Sequence, residues 1–223
     1  MGQRPGHAVA LKAVTISPPG IYKALTKKDP QLGKVLSRIE KFPSFPLPSQ
    51  KRISYFRYLG RAIVYQQLAG KAAQTIHGRV CALTSGPYFP DPAAVLNLSD
   101  QKLRGAGLSQ AKMLAVQDLS RNALAGTLKL SSLWRLADDE IIERLVQVRG
   151  IGEWTAQMFL IFRLGRLDVM PSGDLGVQEG LRLLDGLKER PKPKDLAART
   201  ECWAPYRSVG AWAMWRLADG AGA

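Results

Sequence analysis

Thiols and imidazoles are scarce in this chain: among 223 residues only Cys81, Cys202, His7 and His77 carry them. Four thiolates for an iron–sulfur cluster are therefore missing, and so is the Cys/His spacing of a zinc site. Two distant thiols make no disulfide framework, which suits a reducing compartment. Carboxylates are also few, 18 against 32 Lys and Arg, leaving a formal charge of +14. Such an excess implies a polyanionic partner, nucleic acid first. No apolar run reaches the length of a membrane span, and "MGQRPGHAVALKAVTISPPG" lacks the long apolar core and small-residue cleavage site of a secretory leader. Gly2 makes no lipidation signal, because Gly6 stands where that motif needs Ser or Thr. The expected location is the cytoplasm, on the nucleoid of a bacterium, or the nucleus of a eukaryotic cell.

What is present is a helical pattern. Apolar residues recur at intervals of three and four, with Gly, Pro and Ser between the segments, and the expected class is all-α. "GIYKALTKKDPQLGKVLSRI" reads as one or two short helices, and the prolines of "KFPSFPLPSQ" read as an ordered turn or linker that ends them. A helix pair follows in "RISYFRYLGRAIVYQQLAGKAAQTIHGRVCALT". Ser99, Ser109 and Asp138 each stand where a helix N-cap is expected.

Two later segments share a plan of helix, Gly-x-Gly turn and helix, at Gly105 and Gly107 and again at Gly150 and Gly152. In "LRGAGLS" the glycines read as simple punctuation between helices. "VRGIGEW" is sharper, because apolar Val148 and Ile151 can anchor the turn while Gly150 and Gly152 leave backbone N–H groups facing outward at a helix N-terminus. That arrangement suits a phosphate. The helix "EWTAQMFLIFRLG" then carries the chain over about three turns to "DVMPSGDLG". Pro171 and Gly173 bend it, so that Asp174 opens the helix "LGVQEGLRLL". Asp174 reads either as an N-cap or as a carboxylate at the mouth of a cleft; Asp168 reads as the group that ties down the turn.

Gly150-Ile151-Gly152 with Trp154-Thr155-Ala156, followed by Asp168-Val169-Met170-Pro171 through Asp174-Leu175-Gly176, resembles the signature of the helix-hairpin-helix DNA glycosylases. The likeness is to the 3-methyladenine DNA glycosylase II, or alkylbase, branch. "RAIVYQQLAGKAAQTIHGRV" and "YRSVGAWAMWRLAD" resemble further helices of that branch, so the likeness covers roughly residues 50 to 220. It implies two helical lobes with a cleft between them. The expected division is a flexible 1–16, a lobe of 17–48 with 166–223, and a central lobe of 49–165 ending in the hairpin motif at about 141–164.

The same resemblance implies base flipping in duplex DNA and hydrolysis of the N-glycosidic bond of alkylated purines, of the 3-methyladenine and 7-methylguanine class. Positive charge builds on the sugar in that reaction, so one anion near C1′ lowers the barrier. A base alkylated on a ring nitrogen is already a good leaving group, and a second carboxylate is not needed. Asp174 is thus the expected catalytic residue. Trp154 and Trp215 are expected to line the base pocket, where electron-rich rings stack on a cationic base. Trp212 and Tyr65 join them as weaker candidates. Met158 lies where some relatives carry an aromatic residue, which leaves base preference open. Trp134, Trp203 and also Trp212 read as core residues on the general habit of indoles in helical proteins.

Gln67 and Leu68 match the turn that wedges into the duplex, while Gln66 reads as bonding backbone there. Val148, Arg149, Gly150, Ile151 and Gly152 form the expected phosphate-binding hairpin, with a Na+ or K+ ion held by the carbonyls of Val148 and Ile151 as the implied ion. Lys71, Arg149 and Arg163 are generic phosphate partners. Lyase-competent members carry a Lys where this chain has Trp154, so a monofunctional, monomeric glycosylase without cofactor or iron–sulfur cluster is expected. A non-catalytic DNA-gripping module, or a glycosylase for deaminated or oxidised bases, is the alternative.

Overall fold

The computed structural model describes residues 18–43 and 45–220, so the N-terminal segment 1–16 lies outside the described residues. Every regular element within them is helical. In chain order they are α1 (Pro18–Lys28), α2 (Pro30–Leu36), α3 (Pro48–Lys51), α4 (Tyr55–Tyr65), α5 (Gly70–Cys81), α6 (Pro92–Asn97), α7 (Asp100–Gly105) and α8 (Gln110–Ala125). A 3₁₀ turn at Leu130–Arg135 leads to α9 (Asp138–Leu145), α10 (Glu153–Met158) and a π-helical turn at Phe159–Leu164. α11 (Leu175–Asp185), α12 (Pro193–Thr200), a 3₁₀ turn at Glu201–Trp203 and α13 (Arg207–Ala218) complete the fold.

Short polar side chains start many of these helices by accepting the orphan N–H groups of the first turn. Ser54, Ser99 and Ser109 cap α4, α7 and α8, and Asp29, Asp91 and Asp174 cap α2, α6 and α11. Asp138 does not cap. Ala137 holds that position and its N–H goes to the Glu140 carboxylate at 3.1 Å, whereas Asp138, the first helical residue, pairs with Arg166 at 3.1 Å. The proline cluster is more than a linker, since α3 forms on its last proline, Pro48, where a missing N–H costs a helix nothing.

Buried side chains fall into two clusters. The first runs from Phe56 to Val169 and holds Leu59, Ile63, Leu119, Leu145 and Phe159; the second combines residues 21–42 with 177–217 around Trp203 and Met214. α11 and α13 approach closely within the second, because a Cβ at Gly180 would collide with the Met214 backbone. Trp203 is fully buried there, and its indole donates to Asp29 at 2.8 Å. Arg199 bridges Asp29 and Asp185 beside it, at 2.8 and 2.9 Å. Trp215 touches both clusters and so lies on their seam.

Trp134 corrects the expectation of a core indole. It is 54% exposed, held by its backbone carbonyl to Arg166 while its ring faces outward under Arg135. It sits on a short 3₁₀ segment whose buried position is taken by its neighbour Leu133, which turns the indole outward.

Candidate active site

Asp174 sits where three elements meet. The chain arrives from the π-helical turn, stops at Gly165 in the left-handed region (φ +71°), and crosses a short loop to α11. That loop is pinned at both ends. Asp168 takes a bidentate pair from Arg207 at 2.8 and 3.0 Å, and buried Ser208 donates to the Arg166 carbonyl while accepting the Val169 N–H. Pro171 accepts the Asp174 N–H at 2.9 Å, which closes the bend before the helix.

The carboxylate of Asp174 then accepts three N–H groups. Oδ1 takes the Val177 backbone at 2.9 Å and the Trp215 indole at 2.9 Å; Oδ2 takes the Trp154 indole at 2.6 Å. The N-cap bond and the two indole bonds coexist, so the helix-capping and cleft readings of Asp174 describe one geometry. Each carboxylate oxygen has two lone-pair directions, and Oδ2 keeps one free. Trp154 is 48% exposed, so this side of the carboxylate stands at the surface of a cleft.

Gly176 makes the arrangement fit. A Cβ there would lie 2.9 Å from Cδ1 of Trp215 and 3.1 Å from Oδ1 of Asp174. Trp215 also packs on Phe162 at 5.6 Å between ring centroids, which fixes its indole plane.

On the other side of Trp154 opens a cavity of about 390 Å³ lined by Tyr58, Ala62, Tyr65, Gln66, Gln67, Trp154, Thr155 and Met158. This volume falls in the range of small-ligand pockets, ~300–1,000 Å³. Tyr65, Met158 and Trp154 are thus brought together around one space, with Gln67 at its rim. Trp215 serves the carboxylate and does not line this cavity. Trp212 belongs to neither: its indole donates to the Glu40 carbonyl at 3.2 Å and its ring packs on Phe42 and Phe45, so its placement in the base pocket is corrected. Tyr58 and Ala62, missed in the sequence, precede Tyr65 by seven and three residues on one face of α4; that helical spacing was the available signal. Burial pushes the Tyr58 phenol up to about 12, so it faces the cavity as a neutral hydroxyl.

The hairpin between α9 and α10 is anchored by Val148 and Ile151, 2% and 3% exposed in the first cluster. Gly150 is in the left-handed region (φ +77°), and a Cβ on it would meet that of Ala115 at 2.8 Å; Gly152 has neither constraint. The Arg149 N–H donates to Asp118 at 2.9 Å, while those of Gly150 and Gly152 have no intramolecular acceptor among the described residues. Of the carbonyls, that of Val148 accepts the Ile151 N–H and that of Gly150 accepts the Gln66 side chain. The Ile151 carbonyl has no donor among the described residues, and the Val148 carbonyl keeps a second lone-pair direction.

Leu68 is 37% exposed and Gln67, at φ +54°, is the one non-glycine in the left-handed region among the described residues. Arg163 is not a phosphate partner: it is buried, its guanidinium lies 4.4 Å over the Tyr55 ring, and it donates to the Ile53 carbonyl at 2.6 Å. Lys71 and Arg149 are exposed.

Comparison with known proteins gives this geometry a context. Residues 61–205 match the family described as HhH-GPD superfamily base excision DNA repair protein. The chain is 34% identical over 178 residues to DNA-3-methyladenine glycosylase 1 of Schizosaccharomyces pombe, covering 78% of each. Among solved structures, a 3-methyladenine DNA glycosylase of the same yeast in complex with abasic DNA superimposes with a TM-score of 0.80 at 30% identity, over 91% of this chain and 98% of that one. A DNA-3-methyladenine glycosidase of Bacillus halodurans does so with a TM-score of 0.79 at 34% identity, over 92% and 90%.

Proposed function

Because the chain belongs to the HhH-GPD superfamily of base excision DNA repair proteins, we propose that the Asp174 cleft is the active site of an alkylbase DNA glycosylase. The protein is a glycosylase acting on DNA: it releases alkylated bases, and the 3-methyladenine and 7-methylguanine class suits the aromatic cavity beside the carboxylate. The observation that carries this reading is the Asp174 side chain held by two indole N–H groups and a backbone N–H, with Trp154 shared between carboxylate and cavity.

The residues divide the work as follows. Exposed N–H groups of Gly150 and Gly152 grip a phosphate, and the carbonyls of Val148 and Ile151 would hold a monovalent cation that adds positive charge beside it. Gln67 and Leu68 fill the gap in the stack as the damaged nucleotide swings out. The expelled base enters between Tyr58, Tyr65, Trp154 and Met158, where a cationic methylated purine gains from stacking on rings. As the bond to the base breaks, charge grows on the sugar opposite the free lone pair of Asp174, which stabilises it and orients the attacking water.

No Lys lines the cavity. An amine is what a Schiff-base lyase needs, and an indole at 154 cannot supply one. This supports a monofunctional enzyme that leaves an intact abasic strand, and a single copy of the chain carries every residue invoked.

Base release from methylated duplex DNA, with the bases identified and the strand then checked for nicks, tests the reading. Wild type should release 3-methyladenine and 7-methylguanine from unbroken strands, and Asp174→Asn should not. DNA binding without release by either protein would leave only a DNA-gripping module; nicked strands would overturn the monofunctional assignment.

A further inference from the structure

Lys112, on α8, points its ammonium at the end of α4. Nζ donates to the carbonyls of Val64 at 2.8 Å and Gln66 at 2.7 Å, two groups that the terminating helix leaves without an intrahelical donor. The next residue is Gln67 in its left-handed conformation, followed by exposed Leu68. Gln66 itself reaches across the cleft, its amide donating to the Gly150 carbonyl at 2.9 Å and to the Thr155 hydroxyl at 3.2 Å. The Gln67 turn is thereby fastened on one side to α8 and on the other to the hairpin. Burial lowers the Lys112 ammonium below the usual lysine range, in keeping with a cation turned inward to carbonyls and away from solvent.

We propose that Lys112 is the positioning residue of the wedge turn: its grip on the Val64 and Gln66 carbonyls holds Gln67 and Leu68 presented to the duplex, and through Gln66 locks that presentation to the phosphate-binding hairpin. The inference rests on the glycosylase reading. A left-handed Gln is strained on its own and persists only when its surroundings over-determine it. Two charge-assisted bonds from one ammonium, together with the Gln66 bridge, supply that constraint. Without them the turn is free to relax, and insertion of the wedge must then re-order it at each encounter.

The test uses the full chain carrying Lys112→Met, which keeps the aliphatic stem and removes the donor, beside Lys112→Arg, which keeps a cation able to reach both carbonyls. One readout requires no chemistry: the fluorescence of 2-aminopurine placed next to a tetrahydrofuran abasic analogue in duplex DNA, which rises when a wedge disturbs the stack. The other compares single-turnover release of 7-methylguanine from methylated duplex and from methylated single strands, which need no wedge. Lys112→Met should bind the duplex yet lose the fluorescence rise, and should slow release from duplex by about tenfold or more while slowing release from single strands far less, since there only the cavity rim at Gln67 is loosened; Lys112→Arg should restore most of both. Should K112M prove unfolded by its thermal transition, Lys112→Gln, uncharged and too short to bridge both carbonyls, replaces it with the same expected outcomes.

An unchanged fluorescence rise, or equal slowing on duplex and single strands, overturns the proposal in favour of a simple helix cap. Loss of fluorescence with a wild type that releases no base would keep the wedge assignment and overturn the glycosylase reading instead.

Discussion

Gly176 stands against the Trp215 indole so closely that a single methyl group would reach 2.9 Å from its Cδ1. The glycine therefore sets where the second indole meets Asp174. Gly176→Ala should displace Trp215 from the carboxylate and slow base release by about tenfold to a hundredfold, the scale of small misplacements at a reacting centre. Stability should change little, because the better helix propensity of Ala, about 1 kcal/mol, offsets the crowding. Single-turnover kinetics beside thermal unfolding separates the two effects.

Asp174 has a structural duty and a chemical one, and two substitutions divide them. Asn caps a helix about as well as Asp but sets its NH2 against the half-exposed Trp154 indole, so Asp174→Asn should keep the cap and lose less stability than Asp174→Ala while raising the barrier by about 3–4 kcal/mol, a loss of several hundredfold or more. Asp174→Ala should lose the rate and, in addition, about 1 kcal/mol of stability as the Val177 N–H goes uncapped. If both variants unfolded alike at low denaturant, the capping bond would carry no weight.

The two hairpin glycines should behave differently. Gly150→Ala meets both a left-handed backbone and the Ala115 side chain, so it should destabilise by about 1–3 kcal/mol, measured by denaturant unfolding. Gly152→Ala has open space and an ordinary φ. It should fold normally, and any loss should fall on affinity for DNA, read by salt-dependent binding.

Acid stability should depend on Asp29. Burial opposes its charge, yet the Leu32 N–H, the Trp203 indole and Arg199 outweigh that cost and hold the carboxyl below its ordinary value. A folded value below the unfolded one means the folded state binds fewer protons, so the stabilisation is complete above the unfolded value of about 3.9 and is lost as pH falls through the lower folded value. Urea unfolding followed from pH 6 downward should show this decline, and Asp29→Asn should be less stable at neutral pH with a flatter acid limb.

The hairpin was legible because it is local: glycines and apolar anchors alternate within "VRGIGEW", and the seryl caps Ser99 and Ser109 announce themselves three residues ahead of the N–H groups they bind. The paired indoles on Asp174 were not legible as a pair, since Trp154 and Trp215 are far apart in the chain and meet only through the seam between two cores. Tyr58 and Ala62 were readable from their spacing to Tyr65, whereas Trp134 and Trp212 show that indole burial follows the element an indole stands on. The widening of the helix after Met158 into a π turn leaves no mark in an unbroken apolar run. It ends with the Arg166 N–H reaching back to the Leu160 carbonyl at 2.9 Å, six residues earlier.

The division of the second core between residues 21–42 and 177–217 has a consequence for synthesis. α1 and α2 leave the ribosome well before the surfaces of 177–217 that bury them, while the first core has all its residues in between and can close beforehand. A chain halted before Arg207 has the hairpin, the wedge turn and Asp174, and no α13 to bring Trp215 or to seat Gly180. Such a fragment would hold onto DNA with a half-oriented carboxylate, so base release is acquired only once α13 has emerged.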